Sequence, residues 1–405
     1  MTLTTEIHKF QRKELQLKSL LEITQAINEN QSETVLLNIF KFTCLVHLNI
    51  KSLILYVAKQ GAFENKISHG VKGNVPRLIS AAQVMDEKAT GELRLELEEE
   101  YSFEELETYL PVYHKDKMLA ILFLRRKDQG LELDLNFTQA LTNILVVALE
   151  NKRFARKQLE QEILNREVAI ASQVQQMLFP AELPIDKELK AKVTYLPHSM
   201  VGGDYYDLVR KSKDEVYFCI ADVSGKGMAA ALLMSNFQAA LRTLLRSDAD
   251  LEMVVKQLNY TLFENTNGER FITFFLGYFN FRTRELTYVN AGHNPPLLCR
   301  DEVGLCDSLD AGTTILGAFD ELPFLEVGKR EDLGNFSLHL YTDGLTEAMN
   351  PFEEEYGEER LEKFVNKNHK LDPDDFHRKF LKKINEFSKD IPLRDDLTLL
   401  SLRFQ

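Results

Sequence analysis

Two periodicities divide the chain. Between residues 13 and 47 apolar positions such as Leu17, Leu20, Leu21, Ile23 and Ile27 recur every three or four residues. That spacing predicts two helices, over 13–30 and 32–47, with Ser32 capping the second. Short apolar runs at 52–58, 109–114 and 119–124 then predict strands, with Gly61 and Lys115-Asp116 where turns are needed. The stretch 86–107 between them is acidic and is expected at the surface. A helical stripe opens near Asp134 and carries Leu141, Ile144, Leu145, Ala148 and Leu149 on one side.

That stripe does not stop. Residues 150–176 contain no Gly or Pro, Ile163, Ile170 and Met177 recur at seven-residue intervals, and Glu162 faces Arg166 one turn later. A polar helix this long needs a partner to persist, so the expectation is a short parallel coiled coil that makes the protein a homodimer. A solvated single helix between two domains is the alternative. Pro180 and Pro184 end the helix.

From Lys192 onward the pattern changes to short strands, at 193–196, 205–209, 216–221, 272–281, 286–290, 296–299, 325–329, 337–341 and 397–404. Helices are expected at 228–245, 251–265 and 374–387. Strands and helices do not alternate as βαβ units, which favours an antiparallel β-sandwich with covering helices and an α+β class overall.

Composition narrows the function. Lys plus Arg number 49 against 62 Asp plus Glu, a formal charge of -13, which argues against a nucleic-acid partner. No run approaches the ~20 apolar residues of a membrane span. The four cysteines, Cys44, Cys219, Cys299 and Cys306, are scattered without metal-ligand spacing, and the start of the chain is polar, so a reduced, cytoplasmic setting is expected.

The chemistry lies in carboxylates placed at strand ends. Asp204 follows Gly202-Gly203 and opens a strand that also carries Asp207. Asp222 closes the strand 216–221 before the tight turn Val223-Ser224-Gly225-Lys226-Gly227. Asp343-Gly344 closes another strand, and Asp395-Asp396 opens the last. Converging carboxylates repel unless a cation holds them, and an oxygen-only set suits Mg²⁺ or Mn²⁺. Two such ions sharing a bridging carboxylate activate water for in-line attack on a phosphate ester. Each element alone is ordinary, since Asp-Gly is a common turn; only the ordered set is specific. None of the four cysteines is followed by Arg at the sixth position, where Ile50, Gly225, Leu305 and Gly312 stand, so a cysteine-phosphatase loop is absent. A DxDxT aspartyl-phosphate motif is also missing.

In order along the chain stand VQQMLFP (174–180), GGDYYD, ADVSGKGMAAALLM (221–234), FFLGYFN, YVNAGHNPP, LGAF, LYTDGLTEAMN, EYGEERL and DDLTLL. Over roughly residues 165–405 this resembles the metal-dependent (PPM) serine/threonine phosphatases of the bacterial SpoIIE/RsbU branch. The resemblance implies a β-sandwich flanked by helices with two divalent cations, Mn²⁺ or Mg²⁺, at one edge. It implies Asp222 as the carboxylate bridging both ions, the Val223 carbonyl on one of them, Asp204 on the first metal's side, and Asp343 and Asp395 on the second's. Asp396 is the less favoured of its pair. Gly203 and Asp207 are expected to support the site, and Lys226 is either a phosphate contact or a solvated turn residue. His293 is either a general acid or metal ligand, or a turn histidine bonded to backbone.

The expected organisation is a GAF-like α/β sensory and dimerisation domain at 1–148, a helical coiled-coil linker at 149–180 and a PPM-type phosphatase domain at 181–405. The GAF likeness rests on element order alone, and its signal, a small molecule or a protein, is unknown. The family's typical substrates are phosphorylated STAS-domain anti-sigma-factor antagonists. The alternatives are a catalytically silent pseudophosphatase scaffold and a two-metal hydrolase acting on nucleotides or nucleic acid.

Overall fold

The computed structural model describes residues 3–87, 92–95, 106, 108–114, 117–127, 134–247, 249–389 and 391–405. Most of the acidic stretch at 86–107 and the turn at Lys115-Asp116 therefore lie outside the described residues. The chain divides into two compact units, Met1–Glu162 and Ile163–Gln405.

The first unit opens with α1 (Leu3–Asn28) and α2 (Glu33–Phe42), followed by a single π-helical turn at Thr43–His47. The Ser32 side chain caps α2 by accepting from the Val35 N–H, as its place before an apolar run requires. Strands follow as β1 (Ile50–Lys59), β2 (Ala62–His69), β3 (Leu78–Ser80), β4 (Val84–Glu87), β5 (Glu92–Leu95), β6 (Thr108–His114) and β7 (Lys117–Arg126). Five of them form an antiparallel sheet in the order β3-β2-β1-β7-β6, while β4 and β5 pair with each other. The central strand β1 is buried on both faces. Leu53 and Leu55 pack with Ile23, Phe40 and Leu145 of the helices, whereas Ile54 and Tyr56 join Phe63, Ile79 and Phe123 on the other side.

Asp134 caps α3 (Leu135–Gln176), whose 42 residues begin in the first unit and end in the second. Beyond Glu150 its Phe154, Leu159, Ile163, Leu164, Ile170 and Val174 are each more than half exposed, whereas Val168 is half-buried.

The second unit is a four-layer sandwich. Its strands are β8 (Leu189–Leu196), β9 (Tyr205–Arg210), β10 (Glu215–Val223), β11 (Ile272–Asn280), β12 (Glu285–Ala291), β13 (Leu297–Arg300), β14 (Cys306–Ser308), β15 (Gly312–Thr313), β16 (Gly328–Arg330), β17 (Phe336–Tyr341) and β18 (Leu397–Phe404). One sheet runs β15-β12-β11-β10-β9 with β16 beside β12; the other runs β14-β13-β17-β18-β8. Phe218, Phe275, Phe279, Phe336 and Phe404 fill the space between them. Helices α4 (Met228–Leu245) and α5 (Leu251–Thr266) cover the first sheet, and α7 (Glu358–Asn368) and α8 (Pro373–Ser388) cover the second. The short α6 (Asp343–Thr346) sits at the end of β17. By length and composition α4 could cross a membrane, but its Met234, Phe237 and Leu241 are buried in the core against β10 and β11.

Under α7 and α8 lies a buried polar chain. The Thr194 hydroxyl meets Nδ1 of His377, whose Nε2 meets Ser401 Oγ; the same hydroxyl meets Nδ1 of His339, whose Nε2 faces Ser337. His339 also stacks on Phe376 of α8, with ring centroids 4.2 Å apart.

One expectation needs correction, and one element carries only a short periodic signal. The cysteines are not all separate and reduced: the β13–β14 hairpin sets Cys299 opposite Cys306, and the two form a disulfide. Helix α7 shows only a short apolar stripe in the sequence, because its surface is charged along most of its length and only Leu361, Val365 and Asn368 are buried.

Candidate functional site

β10 and β17, neighbours of the central core in their respective sheets, deliver Asp222 and Asp343 at their ends, and β9 and β18 are preceded by Asp204 and Asp395-Asp396. The sandwich therefore brings four separate chain segments to one edge. Their proximity is visible in their electrostatics. Burial pushes the Asp222 carboxyl up to about 7, reinforced by the negative charges of Asp343, Asp395 and Asp396 and opposed by a hydrogen bond with Asp204. Burial also holds Asp204 well above the ordinary carboxylate range, with Asp222 adding to the effect and the hydroxyls of Thr398 and Thr342 opposing it. Asp343 is raised by burial and by Asp395.

The backbone permits this crowding only where side chains are missing. A Cβ on Gly203 would lie 2.9 Å from the Val223 carbonyl oxygen, so that carbonyl and Asp222 face a bare backbone. A Cβ on Gly344 would lie 2.1 Å from the Asp396 carbonyl oxygen, inside any real contact. Gly344→Ala is therefore expected to force β17 and β18 apart where Thr342 bonds Asp396 and Thr398. The expected cost is about 1–3 kcal/mol of unfolding free energy, measured by urea denaturation.

The remaining expected residues separate by role. Asp396 accepts from the backbone N–H groups of His198 and Gly203, at 2.7 and 2.8 Å, and so pins the loop that carries Asp204. Lys226 donates to Asp395 Oδ2 and to the Arg394 carbonyl, each at 2.7 Å, so it belongs to the carboxylate group. Asp207 does not: it is buried and takes Arg242 bidentately, together with the Tyr205 hydroxyl. His293 is buried with both ring nitrogens engaged, Nδ1 with Thr273 and Nε2 with the Tyr341 carbonyl, and burial lowers it to about 4. A neutral ring bonding on both sides positions β11 against β17; it does not present a proton to a ligand.

Several contributors escaped the sequence reading. Thr342 and Thr398 both donate to Asp204 Oδ2. Gln175, on the last turn of α3, gives its amide N–H to the Gly202 carbonyl and accepts the Gly202 N–H in return. Glu347 is raised by burial and by Asp343, Glu355 and Asp395, which adds a further carboxyl to the same field. The threonines flank Asp343 and Asp395-Asp396 in the sequence, so adjacency to a strand-end carboxylate was the available signal.

The donor chemistry fits hard divalent cations: carboxylates and one backbone carbonyl, with mutual repulsion that a cation would relieve. Among the described residues no three of these groups close on a single point as a ready-made cage. The hydrogen bonds explain why, since Asp395 turns to Lys226, Asp204 to the two threonines and Asp396 to backbone.

The SpoIIE family model, described as stage II sporulation protein E, matches residues 212–405. The chain is similar to the phosphoserine phosphatase RsbU of Bacillus subtilis (strain 168), with 30% identity over 247 residues, 60% of this chain and 72% of that protein. It is also similar to the phosphoserine phosphatase RsbP of the same organism, with 26% identity over 184 residues, 44% of this chain and 45% of the relative. Among solved structures, the SiaA-PP2C domain of Pseudomonas aeruginosa shares the fold, with a TM-score of 0.53 at 21% identity, over 61% of this chain and 99% of that domain.

Proposed function

Since the chain belongs to the SpoIIE family of PP2C-type serine phosphatase domains, close to RsbU, we propose that it removes phosphate from serine or threonine of a regulatory protein. The observation that carries this reading is the convergence of Asp204, Asp222, Asp343 and Asp395 at one sandwich edge, where burial first and the neighbouring carboxylates second push the Asp222 carboxyl up to about 7. The family is generally metal-dependent. When bound, two divalent ions, Mn²⁺ or Mg²⁺, would supply an activated water and offset charge on the phosphoryl oxygens. Asp222 with the Val223 carbonyl, Asp204, Asp343 and Asp395 would hold them. The chain's own groups do the rest: Thr342 and Thr398 orient Asp204, Asp396 fixes the Gly202-Gly203 loop, and Lys226 offers an ammonium to an anionic substrate at the same rim.

The substrate we favour is a phosphorylated STAS-type antagonist of an anti-sigma factor, in a cytoplasmic signalling pathway. The first unit, with its helix-backed antiparallel sheet, serves as a GAF-like sensory domain. A cavity of about 400 Å³ lined by Lys59, Lys66, Arg153 and Arg156 together with Glu33, Glu64 and Glu150 offers its signal a place. The exposed apolar positions of α3 support a coiled-coil linker and a homodimer, and the Gln175–Gly202 pair gives that linker a hold on the catalytic loop. The domains then run 1–148, 149–180 and 181–405.

Phosphate release from a phosphoserine peptide by the full chain tests the reading. Turnover is expected with Mn²⁺ or Mg²⁺ and none with EDTA. Turnover that survives EDTA, or no turnover with either ion on peptide or on p-nitrophenyl phosphate, would instead favour the scaffold.

A further inference from the structure

The helix pair that covers the second sheet carries a groove that the catalytic reading does not use. It encloses about 620 Å³ and is bordered by Arg360, Lys363 and Lys367 on α7 and by Lys379, Lys382 and Lys383 on α8, with Glu386 as the one carboxylate on its lining. All six cations are exposed. Their spacing explains the arrangement: positions 360, 363 and 367, and 379, 382 and 383, each fall on one face of a helix. The apolar floor comes from Phe364 and Tyr356.

The molecule neutralises this face only in part. Arg360 reaches Glu354 at 3.9 Å and donates to the Glu355 and Tyr356 carbonyls, Lys363 pairs with Glu359 along α7, Lys382 reaches Glu386 only at 4.0 Å, and Lys379 bonds an amide oxygen, that of Asn368. Lys367 and Lys383 have no ion-pair partner among the described residues. The chain as a whole is at -13, so six cations facing one apolar-floored cleft are a local reversal of its field. Such a reversal selects a compact, negatively charged partner by complementarity. A nucleic acid or an anionic membrane extends far past the groove and meets the repulsive remainder of the surface.

We propose that the α7–α8 groove is a docking site for an acidic segment of a protein partner, whose carboxylates meet the two lysine rows while an apolar side chain lies over Phe364. The proposal concerns recognition and does not depend on turnover at the carboxylate edge.

The test is fluorescence anisotropy on the full chain with a labelled, Glu-rich peptide of about twelve residues containing one Leu. Variants are Lys367→Glu with Lys383→Glu, the milder Lys367→Gln with Lys383→Gln, and Lys256→Glu on α5 as a control. The expected result is saturable binding that weakens at least about tenfold in the double charge reversal, less in the glutamine pair, and little in the control. Circular dichroism keeps folding in view, and the glutamine pair decides the matter if the reversal fails to fold. Absence of saturable binding, or equal weakening by Lys256→Glu, would overturn the proposal. So would tighter binding of a single-stranded oligonucleotide or of phosphatidylserine vesicles than of the peptide.

Discussion

Asp222→Asn is expected to lower metal-dependent hydrolysis of p-nitrophenyl phosphate by about 10³-fold or more, while making the metal-free protein more stable. Both halves follow from one fact. Asp222 is crowded by burial and by Asp343, Asp395 and Asp396, which lift its carboxyl to about 7 from an ordinary value near 4. A carboxyl raised on folding is bound to its proton more tightly in the native state. Its ionisation therefore removes stability as pH climbs from about 4 to about 7. Asparagine carries no charge and loses nothing over that window. In EDTA at pH 7.5 the variant should melt above the parent, and divalent ions should raise the parent's melting temperature but hardly the variant's. A variant that melts below the parent and still responds to Mn²⁺ would mean that Asp222 is only a packing residue.

The second large effect concerns acid. His339 and His377 are buried in the Thr194–Ser401–Ser337 hydrogen-bond chain, and burial lowers each to about 3. The unfolded chain takes up protons on both imidazoles below about 6.5, while the native state stays neutral until near 3. Stability should thus fall as pH drops through that window, by about 1.4 kcal/mol per pH unit for each histidine. From pH 6.5 to 4.5 the two together remove roughly 5 kcal/mol, a large share of a typical domain's margin. Urea unfolding of the full chain against pH, compared with His339→Gln and His377→Gln, checks this. Each variant should start lower at pH 7 and show a flatter slope in acid. An unchanged slope in both would place the acid sensitivity elsewhere.

The parts of the fold that could be read in advance are those in which one local signal suffices. The apolar stripe of α4 and its bounds at Met228 and Leu245 match the expected 228–245. Likewise the all-buried β18 agrees with the run at 397–404. Strand β2 (Ala62–His69) escaped because AFENKISH alternates weakly and buries only Phe63 and Ile67 fully. At the site, strand-end carboxylates next to glycine were legible because they need rigid backbone and close approach. The division of labour between Asp395 and Asp396 needed the third dimension: consecutive residues point opposite ways, one to Lys226 and the other to the 198–203 loop. Asp207 misled for the same reason, since only the folded sheet shows that Arg242 of α4 claims it. The Cys299–Cys306 pairing depended on the register of a hairpin too short to be marked by periodicity.

The amide pair between Gln175 and Gly202 has a further consequence. The Gly202 N–H is sealed by one side chain that stands on the final turn of a 42-residue helix, and its neighbour Gly203 is sealed by Asp396 instead. Deuterium would enter the first amide whenever that helical turn frays, and the second only when the β18 edge opens. Two adjacent protons thus clock two separate events, and their uptake ratio reads the grip of the helix on the loop independently of the folding of the sandwich.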